Sequence, residues 1–238
     1  MRKINTWRNP YGEGWSTCRP KQIEFKPGLT VLVGCNGAGK STLLKNIQSE
    51  LKKENVPFIE FDNLKDGGSN GISSASFNEN FAMMSLMMES SEGENIGNNF
   101  GIWCQGIRNF IVNGKYNSER REDRLVDIFR DKEDIQKEKE EFRNHNERWL
   151  LIDAADSGLS IDNVIEFKDV FDLILEDSEN FGKETYIIIS ANEFELARGE
   201  QCFDVNAGKY ITFNDYENYR KFIIKSRDKK DKRYDKER

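Results

Sequence analysis

With 238 residues, the sequence is long enough for one large domain, or for one domain with appendages. Apolar residues make up 37% and charged residues 33%, so a core can form while some segments must be solvated and rich in charge. The formal net charge of −6 argues against a wholly basic nucleic-acid-binding surface but is compatible with a local basic patch.

The cysteines and the apolar runs bear on the cellular compartment. Four cysteines are scattered along the sequence, and none belongs to a C-x-x-C pair. No signal peptide is recognisable at the N-terminus, and no apolar run approaches the ~20 residues that a membrane span needs. We therefore expect a cytoplasmic chain with reduced cysteines and without a membrane span.

The first predicted elements lead into a glycine-rich loop. Residues 23–25 alternate between apolar and polar types, which predicts an early strand. The apolar run Leu29–Val33 follows a Pro-Gly turn and predicts a buried strand. The segment Gly34–Ser41 then fits the pattern G-x-x-x-x-G-K-[ST], and the spacing of leucine and isoleucine beyond it predicts a helix that ends near Lys53.

Each part of this loop, the P-loop, has a mechanical role in binding phosphate. Glycines let the backbone curl with its N–H groups pointing inward, and the start of the following helix adds the positive end of its dipole. Lys40 is expected to reach the β- and γ-phosphates of ATP, and the Ser41 hydroxyl to coordinate Mg²⁺. A glycine-rich turn with a chance lysine is the alternative, and the order strand, loop, helix argues against it. The predicted nucleotide-binding residues are Asn36, Gly37, Ala38, Gly39, Lys40, Ser41 and Thr42.

Three elements are predicted before the charged middle of the chain. Val56–Asp62 predicts a second strand, and the carboxyl ends of such strands form the ligand edge of an open α/β sheet. A methionine-rich stripe over residues 83–88 has the spacing of a packing face. Residues 96–112 predict a buried helix.

Residues 115–148 are dense in Glu, Asp, Lys and Arg and contain few apolar positions. This composition predicts an exposed, charged helical insertion. A solvated face is the simpler interpretation of the insertion, and a docking arm for a protein partner is the functional one.

The run Trp149–Asp153 is apolar except at its end and predicts a buried strand that finishes in an acid. A carboxylate at such a strand end can hold Mg²⁺, usually through water, against phosphates bound by Lys40 and Ser41. Asp153 and Ser41 are therefore the predicted metal-site residues.

The remaining elements complete an α/β pattern. Ser160 is predicted to cap a helix that ends near Glu176, and Thr185–Ser190 to form a central strand. Residues 202–213 predict a closing hairpin, which a helix over about 216–224 follows. The alternating charges of 226–238 predict a disordered tail, so we expect one domain over residues 1–225.

Four segments carry a resemblance to one family, the ABC-class ATPases. Asp153–Ser160 resembles their Walker B and D-loop sequence, and Asn36–Leu44 is similar to their P-loop. Ile187–Ala197 resembles the strand and loop at the family's switch position. Ser91–Glu94 is similar to the signature motif, which in this family contacts the nucleotide held by the other subunit. The resemblance covers roughly residues 20–213.

The resemblance implies a P-loop NTPase fold: α/β, with a mostly parallel central sheet flanked by helices, here with the charged helical insertion and a C-terminal hairpin. It implies ATP and Mg²⁺ as ligands. It also implies an ATP-dependent homodimer, in which Ser91 and Gly93 of one subunit face the nucleotide that Lys40, Ser41 and Asp153 hold in the other.

Two departures from the family concern hydrolysis. Family members have a glutamate after the Walker B aspartate that acts on the attacking water, and here this catalytic position holds Ala154. The switch position, a histidine in the family, holds Asn192, which can hydrogen-bond but not carry charge. Because alanine can neither accept a proton nor orient water, we expect weak ATPase activity. Two explanations stay open: a naturally hydrolysis-poor chain, or a glutamate removed by design to trap ATP, which the intact binding residues favour.

Spacing separates the subclasses of this family. Roughly fifty residues lie between Lys40 and Ser91, fewer than transporter ATPase domains or SMC-type coiled coils need. The sequence looks most like a compact ATPase of the SMC/RecF-like branch, in the style of phages and mobile elements. The alternatives are the ATP-binding subunit of a transporter with a separate membrane partner, and a P-loop kinase-like nucleotide module. DNA repair, phage defence or counter-defence, and regulation of a partner nuclease stay open as processes.

Overall fold

The computed structural model describes residues 1–6, 21–62, 106–114 and 132–236. The predictions for Ser91 and Gly93, for the methionine-rich stripe and for residues 115–131 of the charged insertion lie outside these ranges.

Eight strands and six helices are described. The strands are β1 Arg2–Asn5, β2 Gln22–Phe25, β3 Gly28–Val33, β4 Phe58–Asp62, β5 Glu147–Asp153, β6 Glu184–Ser190, β7 Gln201–Asp204 and β8 Lys209–Ile211. The helices are α1 Lys40–Lys53, α2 106–113, α3 Lys132–Asn144, α4 Ile161–Asn180, α5 Phe194–Ala197 and α6 Tyr216–Lys236.

A six-stranded, mostly parallel sheet with the order β4-β5-β6-β3-β7-β8 is the centre of the fold, and helices flank it. Strand β3 pairs in parallel with β6 on one side and with β7 on the other. β3 and β6 are almost continuously buried, as strands covered on both faces should be. The predicted α/β class, the central position of β6 and the antiparallel β7–β8 hairpin are confirmed.

The parallel pairing of β3 and β6 brings two loops to the same edge of the sheet. Leu32 of β3 is the register partner of Ser190, the last residue of β6. The loops that leave the two carboxyl ends, after Val33 and after Ser190, therefore start side by side. Loops at this edge are where open α/β sheets bind their ligands.

By their internal contacts the residues group into two compact units. Unit 1 comprises Met1–Asn55, Leu151–Asp156 and Tyr186–Arg238, and unit 2 comprises Val56–Leu150 and Ser157–Thr185. All residues of the candidate site described below belong to unit 1. Among the described residues, none of the helices has the length and apolar character that a bilayer crossing requires.

Helix α6 differs from the prediction, because it continues to Lys236 and does not end near Ile224. A disordered tail from residue 226 is therefore wrong as far as residue 236, and the boundary predicted at residue 225 falls inside the helix. The charges that predicted disorder lie at helical spacing: Arg227 and Asp231 approach to 4.0 Å as an i, i+4 pair. In addition, Ser226 is 3% exposed, so tertiary contacts hold the helix beyond its predicted end.

The charged insertion was predicted to extend too far. Helix α3 confirms its helical character over Lys132–Asn144, but residues 147 and 148 belong to β5. Arg148 is fully buried, where the prediction placed an exposed side chain. Its Nε donates to the carbonyl oxygens of Phe110 at 3.0 Å and Ile111 at 2.8 Å, at the end of α2, and its Nη1 donates to the carbonyl oxygen of His145 at 2.7 Å.

Backbone carbonyls thus replace water around the Arg148 guanidinium. Burial lowers the pKa of Arg148 to about 10, which leaves the group charged at neutral pH. The carbonyls at a helix end carry partial negative charge, and a cation there stabilises the helix. Deleting residues 115–148 would remove Arg148 and the first two residues of β5, so such a deletion is expected to unfold unit 2.

Replacing Arg148 by methionine should lower the free energy of unfolding by about 2–4 kcal/mol, because buried carbonyl oxygens would lose a charged donor. Urea denaturation followed by circular dichroism measures this change. The matched control is Arg143→Met, since Arg143 is exposed and should change stability by less than about 0.5 kcal/mol. Equal midpoints for the two variants would show that the carbonyl contacts of Arg148 add nothing to stability.

Candidate functional site

The P-loop lies between β3 and α1, in the predicted order strand, loop, helix. Gly34 has φ 152° and Gly37 has φ 77°, in the region that favours glycine, and a Cβ on Gly34 would lie 2.9 Å from the Cβ of Ala38. The loop is closed by a hydrogen bond of 3.0 Å from the Ala38 N–H to the Cys35 carbonyl oxygen. The backbone is therefore curled tightly at the start of a 14-residue helix.

Lys40 lies at the centre of the site and is 9% exposed. Its Nζ donates to the carbonyl oxygen of Gly34 at 2.8 Å and to Oδ1 of Asn192 at 2.9 Å. Burial lowers the pKa of the Lys40 ammonium, and the nearby carboxylates of Asp156 and Asp153 act in the opposite direction. The structure thus brings together Lys40, Asp153 and Asn192, which the sequence predicted as parts of one site.

Asp153 ends β5, and two donors orient its carboxylate. Its Oδ1 accepts hydrogen bonds from the Ser190 hydroxyl and from the N–H of Ala154, the latter at 3.0 Å. The Ala154 N–H also lies 2.9 Å from the Ser190 Oγ. The sequence predicts Ser190 as the last residue of a strand, and the structure shows that its hydroxyl also orients the predicted metal-binding carboxylate.

Ala154, which the sequence resemblance aligned with a catalytic glutamate, has an unusual backbone. Its φ is 51°, in the left-handed region that costs a non-glycine residue roughly 1 kcal/mol or more. The residue is half-buried and directly follows Asp153. A longer side chain at residue 154 would begin at the carboxyl-end edge of the sheet, where the P-loop and Lys40 also lie.

Asn192, at the predicted switch position, is held from three directions. Its Oδ1 accepts from Lys40, its N–H donates to Oδ2 of Asp156 at 2.5 Å, and its carbonyl oxygen accepts from the Tyr219 hydroxyl at 2.6 Å. The N–H of Glu193 also donates to Oδ2 of Asp156. The backbone of Asn192 is therefore held by Asp156 and Tyr219, neither of which was predicted as a site residue.

Asp156, which belongs to the segment that resembles a D-loop, is 6% exposed. Its Oδ1 is buried and has no hydrogen-bond partner within the part of the chain that the structure describes. Of the charges that act on the Lys40 ammonium, the carboxylate of Asp156 raises its pKa most. An under-bonded carboxylate beside a buried ammonium makes this corner of the site strongly polar.

The other predicted binding residues line the same turn. Asn36, Gly37 and Ser41 are exposed, Gly39 and Thr42 are half-buried, and Ala38 is buried. An exposed backbone at residues 36 and 37 and an exposed hydroxyl at the first turn of α1 are accessible to a ligand. Ser91 and Gly93, the remaining predicted binding residues, lie outside the described residues.

Sequence analysis gave no indication that helix α6 reaches the P-loop. The hydroxyl of Ser226 accepts a hydrogen bond of 3.0 Å from the Cys35 N–H, and Nζ of Lys230 donates to the carbonyl oxygen of Asn36 at 3.0 Å. These partners are 191 and 194 residues apart in the sequence. No local pattern in a charged terminal segment could have indicated contacts of this range.

Two further observations concern metal-binding clusters and a pocket near helix α6. Within the described ranges, no cluster of three or more His, Cys, Asp or Glu side chains is arranged to hold a metal ion by itself. An open pocket between β8 and α6, lined by residues such as Phe213, Asp215 and Lys225, shares no residue with the P-loop site. The pocket is therefore separate from the polar residues at the P-loop edge of the sheet.

No protein-family model matches the sequence. A search of curated proteins finds no significant match either.

Proposed function

We propose that the chain binds ATP with Mg²⁺ at the P-loop and works as an ATP-dependent dimerising switch that hydrolyses ATP slowly, as an ABC-class ATPase of the SMC/RecF-like branch. One observation carries this proposal: the buried Lys40 ammonium lies where the P-loop, Asn192 and two carboxylates meet. A P-loop NTPase fold is part of the proposal, and the mostly parallel sheet is compatible with it.

The case for a phosphate ligand starts from the charge of Lys40. Among the described residues, its hydrogen-bond acceptors are the Gly34 carbonyl and the Asn192 amide oxygen, and both are neutral. A triphosphate would supply charge-assisted partners, which are stronger acceptors than amide oxygens. The curled backbone of residues 34–39 and the first turn of α1 would add N–H donors and the positive end of the helix dipole.

The described residues fit a magnesium ion that is shared with the nucleotide. Mg²⁺ in such sites takes one or two protein oxygens and completes its shell with water and phosphate oxygens, so a three-carboxylate cluster is not required. Asp153, half-exposed and oriented by Ser190, would provide a carboxylate, and the exposed Ser41 would provide a hydroxyl. When bound, the ion would neutralise charge on the phosphates.

Slow hydrolysis follows from what Ala154 and Asn192 lack. General-base assistance contributes typically about 10²–10⁴-fold to a rate, and a methyl group provides none. Asn192 can hydrogen-bond but cannot take up a proton, and it already shares its Oδ1 with Lys40. ATP would therefore persist at the site, and a dimer that it links would be long-lived.

The proposal is tested by combining isothermal titration of ATP and Mg²⁺ with light scattering. We expect saturable ATP binding, a dimer with ATP and Mg²⁺, and mostly monomer with ADP or without nucleotide. A chain that binds ATP but stays monomeric would support the kinase-like nucleotide module. Co-purification with a membrane protein would support the transporter subunit. The absence of ATP binding would contradict the dimerising switch, the kinase-like module and the transporter subunit alike.

A further inference from the structure

Three residues on one face of α6 contact the candidate site. Tyr219, Ser226 and Lys230 are separated by seven and four positions, the spacing at which helical side chains point in the same direction. Tyr219 reaches the loop of Asn192, whereas Ser226 and Lys230 reach the P-loop. This face, the 219–226–230 face, therefore touches both loops that meet at the Lys40 ammonium.

Ser226 joins the P-loop to the β7–β8 hairpin. Its Oγ accepts from the Cys35 N–H at 3.0 Å and from Nδ2 of Asn206 at 2.5 Å. Asn206 is itself held, because its N–H donates to Oδ1 of Asp204 at 2.9 Å. All of these groups are buried, so the Cys35 amide has little access to water as a substitute partner.

Lys230 holds the next peptide of the loop. Its Nζ donates to the Asn36 carbonyl oxygen at 3.0 Å and lies 3.5 Å from the position that a Cβ on Gly37 would occupy. In a curled anion-binding loop the N–H groups point inward and the carbonyl oxygens point outward. A cation that holds this carbonyl from outside therefore favours the orientation in which the following amides face a ligand.

Tyr219 completes the set at the Asn192 loop. Its hydroxyl donates to the Asn192 carbonyl oxygen at 2.6 Å, and the ring is 4% exposed. Burial raises the pKa of Tyr219, and the carboxylate of Asp156 adds a smaller increase. The hydroxyl therefore stays protonated and remains a donor at neutral pH. The backbone that carries the Lys40 acceptor is thus tied to the same helix as the P-loop.

We propose that α6 is a clamp on the nucleotide site, in which Ser226 and Lys230 are positioning residues that hold backbone residues 35 and 36 in the phosphate-binding conformation. The clamp rests on the proposed binding of ATP. Because coupling between two equilibria is reciprocal, a ligand in the loop stabilises the attachment of α6. The attachment of α6 at Ser226 and Lys230 thereby responds to nucleotide.

The first test compares ATP affinity in Ser226→Ala, Lys230→Ala and the control Lys229→Ala, which removes an exposed lysine one position away. Loss of one hydrogen bond to the loop should weaken ATP binding about threefold to tenfold in the first two variants. Lys229→Ala should bind like the unsubstituted chain. Lys230→Arg should recover most of the affinity, because it keeps a cationic donor. A purely structural role would lower the melting temperature without changing the affinity measured well below it.

The second test uses Cys35 as a reporter, since its side chain is 6% exposed beside Ser226. Labelling by a thiol reagent, located by mass spectrometry, should be slow in the unsubstituted chain and in Lys229→Ala, and several-fold faster in Ser226→Ala and Lys230→Ala. ATP with Mg²⁺ should slow labelling in all of them.

The possible results separate the two proposals. Normal ATP binding by the unsubstituted chain, with the same affinity and Cys35 labelling in all variants, would contradict the clamp alone. Absence of ATP binding by the unsubstituted chain would contradict the proposed function, and labelling without nucleotide would then decide whether α6 holds the loop. Tighter ATP binding by Lys230→Ala would overturn the positioning role in favour of an inhibitory contact.

Discussion

Replacing Lys40 by alanine is expected to abolish ATP binding. The substitution removes the ammonium that contacts both the P-loop and the Asn192 side chain. In a site this buried, losing a cation that faces phosphates should lower affinity by a factor of about 100 or more, because charge-assisted hydrogen bonds are among the strongest in proteins. Arginine should not substitute well, because its planar fork differs from a compact ammonium.

Isothermal titration with ATP and Mg²⁺ measures this effect. Lys45→Ala is the matched control, because Lys45 is an exposed lysine on the same helix. Circular dichroism should show that both variants fold, since removing a desolvated charge does not by itself open the core. Unchanged ATP affinity in Lys40→Ala would remove Lys40 from the binding site, and with it the observation on which the proposed function rests.

Replacing Ala154 by glutamate is expected to raise ATP turnover by at least an order of magnitude. A carboxylate after Asp153 would be able to orient the attacking water and accept its proton, and such assistance is worth about 10²–10⁴-fold. The full gain is not expected, because residue 154 has φ 51° and its side chain starts from a strained backbone. Faster hydrolysis should also shorten the lifetime of the ATP-linked dimer.

Phosphate release and light scattering with ATP test this pair of effects. Ala154→Gln is the matched control, since it has the size of glutamate without a basic oxygen, and its turnover should stay near that of the unsubstituted chain. Ala154→Gly should leave turnover low. It should also stabilise the fold by about 1 kcal/mol, because glycine adopts a positive φ without the steric cost of a Cβ atom. Flat turnover in Ala154→Glu with normal dimer formation would show that residue 154 is not the water-activating position.

A mass that never changes with ATP would be a different result. It would contradict the two-subunit nucleotide sandwich while leaving ATP binding by Lys40 intact. The isolated P-loop module would then be the better description. Turnover and mass should therefore be measured on the same samples.

The elements that the sequence alone determined are those encoded by neighbouring residues. The apolar run of β3, the glycines of the P-loop and the start of α1 predicted the strand, the curled loop and the helix that the structure contains. The apolar runs of β5 and β6 likewise predicted two buried strands, and Asp153 at the end of the first. Such patterns depend on period and turn chemistry, which extend over only a few residues.

The tertiary structure decided which side chains hold these elements in place. Local composition predicted an exposed Arg148 and a helix that ends near Ile224. In the structure Arg148 is buried, and the charged residues beyond Ile224 continue the helix α6. Ser190, Asp156 and the 219–226–230 face have ordinary local sequences. Their roles arise from hydrogen bonds to residues tens to nearly two hundred positions away. A buried donor or acceptor must find a partner wherever the fold provides one, and no local period of the chain records where that will be.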